Sequence, residues 1–150
     1  MELGTYLWLV PFLPLLGATV NGLRAVLSQE KKNKLVTNVV ALGTTGLSAL
    51  IATWVVWLRA GSHEALEVVY YEWIPSGMGH VGNLIADFSV EMGLQVDPLS
   101  STMMMVVCWV GFLIHVYATG YMSHETGYTR FFSYFNLFMF MMLLLVMGNN

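Results

Sequence analysis

Residues 121–150 read YMSHETGYTRFFSYFNLFMFMMLLLVMGNN, and this stretch decides the fold class. It opens on a short polar turn and reaches a single arginine at Arg130. No charged side chain follows as far as Asn150. That order describes entry into a bilayer: an aqueous loop, a cationic anchor at the interface, and an apolar helix beyond it. The apolar run, 131–147, is slightly short for a span of about 20 residues. Tilt of the helix or snorkelling of Arg130 accommodates the difference.

The rest of the chain has the same character. Its 150 residues are 57% hydrophobic and only 10% charged, with a mean hydropathy of +0.66. Soluble domains carry about 25% charged residues, so the bilayer is the expected solvent here. Three further windows are long and apolar enough to cross it. The expectation is an all-α membrane protein with four transmembrane helices, at about 6–23, 35–58, 99–119 and 131–147. Pro11 and Pro14 should kink the first helix or delay its start. Pro14, Gly17 and Asn21 share one face of it, and Ala41, Thr45, Ser48 and Ala52 form a small-residue stripe on the second. Both are expected packing faces, because small residues let helices approach closely. Trp54 and Trp57 suit an interfacial belt. Asp97 or Ser100 should cap the third helix, with Pro98 tolerated in its first turn. Glu2 is the only charge near the N-terminus, so the first span is expected to be retained rather than cleaved.

Residues 59–97 differ from the spans. Six acids (Glu64, Glu67, Glu72, Asp87, Glu91, Asp97) stand against one cation, Arg59. Phe88, Val90, Met92, Leu94 and Val96 alternate with polar residues, the period of a half-buried strand. The run 66–73 is β-branched and aromatic but alternates poorly, and Gly77, Gly79 and Gly82 lie between the two. A β-hairpin on the membrane surface is predicted. The sequence leaves open whether the alternating strand pairs with 66–73 or with another subunit. Arg24, Lys31, Lys32 and Lys34 concentrate in the loop between the first two helices, which places that loop in the cytoplasm. The hairpin and the N-terminus are then extracytoplasmic.

Few residues offer chemistry. An ionisable group inside a membrane is the default functional candidate, and His115 is the clearest. It could relay a proton, or simply be satisfied by a backbone carbonyl or a neighbouring tyrosine. Ser133 and Asn136 share a face of the fourth helix; they either line a hydrated path or hydrogen-bond across to another helix. Cys108 is the only cysteine and reads as a small buried hydrophobe. His63, His80 and His124 fall in loops on opposite sides, without metal-ligand spacing. The net charge of −3 and the absence of a large basic cluster argue against nucleic acid as a partner. No phosphate loop, CxxC pair or GxSxG elbow is present. Gly77, Gly79 and Gly82 give GxGxxG spacing but open no helix, so no dinucleotide site follows.

The wording of the second half is specific. Val96-Asp97-Pro98-Leu99-Ser100 is followed by Gly111-Phe112-Leu113-Ile114-His115-Val116-Tyr117 and Gly120-Tyr121-Met122. Then come Gly127-Tyr128-Thr129-Arg130-Phe131-Phe132, Asn136-Leu137-Phe138 and Gly148-Asn149-Asn150. This series resembles the largest antiporter-like subunit of respiratory complex I, the subunit L or chain 5 type of proton-pumping NADH:quinone oxidoreductase. The resemblance implies a membrane-arm subunit with two inverted five-helix repeats. Three helices flank the repeats, and the fourth span here would be the first helix of the first repeat. It also implies an outer-face hairpin, a location in the bacterial plasma membrane or an organellar inner membrane, and contact with lipid and a neighbouring antiporter-like subunit. FMN, iron–sulfur clusters and quinone would serve the complex, with none bound by this chain. The family's key intramembrane glutamate, in a Trp-Glu motif, would follow shortly after Asn150, so the chain is expected to be the N-terminal portion of a longer subunit. No catalytic residue is carried over; His115, Arg130, Ser133 and Asn136 stand as proton-path or interface candidates. The same module serves cation/proton antiporters and membrane-bound hydrogenases, and a stand-alone structural membrane protein is the third alternative.

Overall fold

The computed structural model describes residues 4–27, 33–61, 65–81 and 84–149. Lys31, Lys32, His63, Glu64, Gly82 and Asn150 lie outside them. Helix α1 (Gly4–Leu7) ends where the ring of Pro11 would crowd the carbonyl four residues before it, and after Trp8 helix α2 (Leu9–Leu27) begins. Pro14 has no N–H for the carbonyl of Val10, and the Ser48 hydroxyl of the next helix donates to that oxygen instead, at 2.6 Å. Pro11 thus delays the start of the long helix, as predicted, whereas Pro14 stays inside it and frees an acceptor that a neighbour satisfies, which the sequence reading did not foresee.

Helix α3 (Lys34–Leu58) starts at Asn33, whose side chain accepts from the Leu35 N–H at 3.3 Å. Helix α4 (Pro98–Tyr121) is capped by Asp97, which accepts from the Ser100 N–H; of the two predicted caps the structure uses the aspartate. A short 3-10 turn, Met122–His124, leads to α5 (Tyr128–Met147). All four long helices are apolar and long enough to cross a bilayer. The last is not short as the sequence suggested. It begins three residues before the predicted start, because Tyr128 and Thr129 are buried against α3 and join the helix. Its 20 residues span about 30 Å, and Arg130 sits in its first turn rather than ahead of it.

Strands β1 (Leu66–Val81) and β2 (Leu84–Val96) pair antiparallel, with Leu66 opposite Val96 and Val68 opposite Leu94. The register slips between Val69 and Tyr71, between Glu72 and Ile74, and between Ile74 and Gly77. Each slip inserts one extra residue on β1. This is why 66–73 alternates poorly. The last slip contains Pro75, which cannot donate to a ladder. Gly77 and Gly79 are paired within the strands, opposite Phe88 and Ala86, not between the two strands as the sequence suggested. Leu94 and Val96 are buried on the helix ends, whereas Met92 is exposed. The half-buried alternation thus holds at the base of the hairpin and ends where β2 leaves the bundle. The end of α5 is tied to the same strand through Asn149 N–H to Gly93 O, at 3.2 Å.

α2 packs most extensively on α5, then on α3, and α3 on α4. The predicted packing faces are the buried ones: Pro14, Gly17 and Asn21 on α2, and Ala41, Thr45, Ser48 and Ala52 on α3. At the hairpin end, Leu7, Val10, Val55, Leu94, Val96, Met104, Cys108, Leu143 and Met147 form one apolar cluster. At the opposite, loop end, Ala41, Ala118, Tyr128 and Phe132 form another.

Asp97 lies just outside α4, and its carboxyl is held below the usual carboxylate range, first by the Ser100 backbone N–H and then by the Ser100 side chain. A carboxylate whose folded pKa is depressed stabilises the fold above its unfolded pKa and loses that effect as pH falls through the folded one. Asn caps a helix as well but does not titrate. Melting of the solubilised protein from pH 7 down to about pH 3 should therefore show a shallower acid-side decline for Asp97→Asn than for the wild type, with little difference at neutral pH.

Candidate functional site

A polar seam runs through the bundle from the loop end. Arg24 of α2 donates to the Thr37 hydroxyl at 3.2 Å and to the Asn33 carbonyl at 3.4 Å. Thr37 Oγ1 also lies 3.3 Å from Thr129 Oγ1 of α5, a pair in which either hydroxyl can donate. Asn21, one turn further in on α2, donates to the Thr37 carbonyl at 3.4 Å, and its Oδ1 is buried without a partner. Ser133 of α5 donates to the Ala18 carbonyl at 2.8 Å. Beside this seam, Tyr128 donates to Asn38 at 2.5 Å, and Lys34 lies 5.6 Å from the Tyr128 ring centre while its amine reaches the Ser123 carbonyl.

The inner terminus of the seam is a fully buried pair, His115 on α4 and Asn136 on α5. His115 Nδ1 lies 2.7 Å from the Gly111 carbonyl one turn earlier, and Nε2 lies 2.8 Å from Asn136 Oδ1. The ring stacks on Phe135 at 4.0 Å, nearly parallel, with Phe132 at 6.1 Å. His115 is six residues from the end of α4, about 9 Å of helix. Asn136 Nδ2 is buried and unpaired. It rests against the bare face of Gly17, where a Cβ would stand 2.3 Å from both that nitrogen and Thr44 Oγ1. Gly17 is thus the close-approach point that admits the amide between α2 and α3.

Of the four candidates, the structure joins His115 to Asn136 directly. Ser133 sits about one turn from Asn136 and bonds across to α2, as polar side chains in packed membrane helices do. Arg130 is exposed at the loop end and stands apart from the other three. His115 is held by the expected backbone carbonyl, but its second partner is the asparagine and not a tyrosine. Sequence reading missed Thr37, Thr129 and Thr44 as members of the seam. The signal was present in spacing. Gly17, Asn21 and Arg24 recur at i, i+4, i+7 on α2, and Thr129, Ser133 and Asn136 recur in the same way on α5. The ring can bind a proton, and ring and amide together form a polar contact between α4 and α5.

Four bilayer-length helices, a hairpin across one end and a histidine buried between α4 and α5 define a polytopic membrane protein with an internal polar seam. Residues 83–132 match the family model described as NADH-ubiquinone oxidoreductase (complex I), chain 5 N-terminus. The chain is 37% identical over 147 residues to NAD(P)H-quinone oxidoreductase chain 5 of Picosynechococcus, covering 97% of this chain and 21% of that protein. To NADH-quinone oxidoreductase subunit L of Pseudomonas aeruginosa it is 45% identical over 114 residues, 74% of this chain and 17% of the relative. To subunit L of Escherichia coli it is 36% identical over 139 residues, 92% and 21% respectively. By these matches the chain is similar, along nearly its whole length, to a portion of subunit L (chain 5) proteins. It spans about a fifth of the length of the curated relatives it matches.

Proposed function

We propose that this chain is the N-terminal portion of a membrane-arm subunit of a proton-translocating NADH:quinone oxidoreductase, contributing to proton translocation coupled to electron transfer from NADH to quinone. The supporting observation is the similarity to named subunits of such oxidoreductases along nearly the whole chain. In this reading α1 with α2, α3 and α4 are the helices that flank the repeated core, and α5 is the first helix of the first inverted repeat. The subunit lies in a bacterial plasma membrane beside another antiporter-like subunit. Its hairpin and N-terminus are extracytoplasmic and its loop end is cytoplasmic, as the lysines and arginines there suggest. Arg130, exposed in the first turn of α5, holds that helix at the cytoplasmic interface.

The electron carriers of the complex (FMN, iron–sulfur clusters and quinone) belong to other subunits in this reading. A cluster held by thiolates needs several cysteines, and this sequence has one, Cys108, buried beside Ser48. What the chain offers the reaction is the pair His115–Asn136, with Ser133 nearby, as a relay at the edge of the proton path.

The reading is tested by tagging the native gene product and purifying it from membranes. It should bring down NADH-oxidising, quinone-reducing activity, and vesicles containing it should build a proton gradient on NADH. A product that exchanges cations for protons with no associated NADH oxidation overturns the assignment. Sidedness is tested separately with single cysteines at Glu67 or Gln95, which should react with an impermeant thiol reagent from the extracytoplasmic side and be protected on the cytoplasmic side.

A further inference from the structure

We propose that His115 and Asn136 form a proton-binding site in which the Asn136 amide turns over when the ring gains or loses its proton, with Thr44 receiving the amide group that faces away. The inference rests on hydrogen-bond bookkeeping at one buried cluster. The Gly111 carbonyl can only accept, so Nδ1, 2.7 Å from it, must carry hydrogen in every charge state. A neutral imidazole has only one N–H, so its Nε2 is then a bare acceptor. Yet Nε2 faces Asn136 Oδ1, a second acceptor, at 2.8 Å. That contact is a hydrogen bond only if the ring is an imidazolium. For a neutral ring, the amide must present Nδ2 to Nε2 through a half-turn of its terminal group.

The surroundings make both orientations usable. Asn136 Nδ2 is buried with no acceptor, while Thr44 Oγ1 stands close by over Gly17. Thr44 now donates to Val40 O at 2.8 Å. A turn of the Thr44 side chain away from Val40 would bring its oxygen to the unpaired Nδ2 in the imidazolium state, or its hydrogen to Oδ1 in the neutral state. One proton from water is taken up at Nε2, the amide keeps both its hydrogens, and no covalent bond in Asn136 or Thr44 changes. No aspartate or glutamate occurs in α2, α3, α4 or α5, so no carboxylate of these helices favours the charged ring; its two acceptors are the Gly111 carbonyl and the Asn136 amide oxygen, and only the amide can turn over. The other ionisable side chains on the packed faces are Arg24, Lys34 and Tyr128 toward the loop end and Cys108 toward the hairpin end. None is hydrogen-bonded to the ring.

The test is solid-state NMR of 15N-histidine-labelled full-length subunit in membranes, with the His115 signal identified as the one lost in His115→Gln. Wild type should show a neutral ring protonated at Nδ1, giving way to imidazolium as pH falls. Asn136→Asp, which can only accept when ionised, should yield imidazolium at a pH where the wild type is neutral. Asn136→Leu should lose the imidazolium signal over the range in which the wild type shows it. A neutral ring protonated at Nε2, a ring that stays neutral in Asn136→Asp, or an unchanged titration in Asn136→Leu would overturn the proposal. Recovery of each variant at wild-type yield and helix content confirms that the ring is read in a folded protein. The consequence for pumping rests on the functional reading above, but the readout is the ring itself, so the two fail separately.

Discussion

Gly17→Leu is expected to lower the resistance of the helix assembly to unfolding by about 3 kcal/mol, the upper end of the usual cost of forcing extra carbons into a packed site. The cause is local. Even a methyl group at Gly17 would stand 2.3 Å from Asn136 Nδ2 and from Thr44 Oγ1, well inside contact distance. Such a clash is cheap when the struck atom ends a side chain that can swing clear, and here both are side-chain ends held in place, since a half-turn of the amide only exchanges nitrogen for oxygen at the same spot. The Asn136 amide is pinned at its other end by His115, and the Thr44 hydroxyl is bonded to the carbonyls of Val40 and Ala41. The larger side chain must therefore part α2 from α5, the most extensive helix contact in the chain. It also removes the His115–Asn136 hydrogen bond, worth roughly 0.6 kcal/mol and at most about 1.7 by membrane-protein precedent. Gly43→Ala provides the control. A Cβ there meets nothing within 4 Å, so stability should stay within about 1 kcal/mol of wild type. Loss of helicity during SDS titration of the purified protein measures both. Equal midpoints for Gly17→Leu and wild type would show that the two helices do not need this close approach.

The spans, the delayed start at Pro11 and the packing stripes were legible because each depends on local pattern. Apolar length, small residues at helical spacing and the proline ring all act within one helix and its immediate neighbour. The start of α5 was not legible. Thr129 and Tyr128 look like loop residues in a one-dimensional reading, and only their partners Thr37 and Asn38, some ninety residues earlier, make them helix. The hairpin was legible as a motif and not in register. Alternation in β2 is clean, but the inserted residues on β1 are set by pairing across the hairpin, and only the last slip carries a local mark, Pro75. The candidate site was half legible. His115, Ser133 and Asn136 stand out as polar residues in apolar runs, but the Gly111 and Ala18 carbonyls that hold His115 and Ser133 carry no sequence signal of their own. Asn21 and Gly17 were visible as a packing face, and the same closeness that makes them pack also builds the seam.

Phe132→Ala should be the other strongly disruptive change, costing about 3 kcal/mol. In water a buried phenylalanine truncated to alanine loses 3–5 kcal/mol, part from transfer and part from the cavity. Inside a bilayer the transfer part shrinks, because lipid tails are as apolar as a protein core. What remains is lost contact. Phe132 is fully buried at the loop end. Its ring centre lies 4.9 Å from that of Tyr128, 5.4 Å from that of Phe131 in an edge-on arrangement, and 6.1 Å from that of His115. Aromatic pairs of this kind contribute about 0.5–1.5 kcal/mol each beyond their area, so losing several at once keeps the total near the low end of the aqueous range. Leu145→Ala, on the same helix but 77% exposed, should change stability by less than about 0.5 kcal/mol. The contrast in SDS midpoint between these two α5 variants separates packing from bulk hydrophobicity: similar losses would mean that the solvent rather than the neighbours sets the cost. Phe132→Ala also opens space beside the His115 ring, so the 15N signals of that ring should broaden or shift in this variant and remain at wild-type positions in Leu145→Ala.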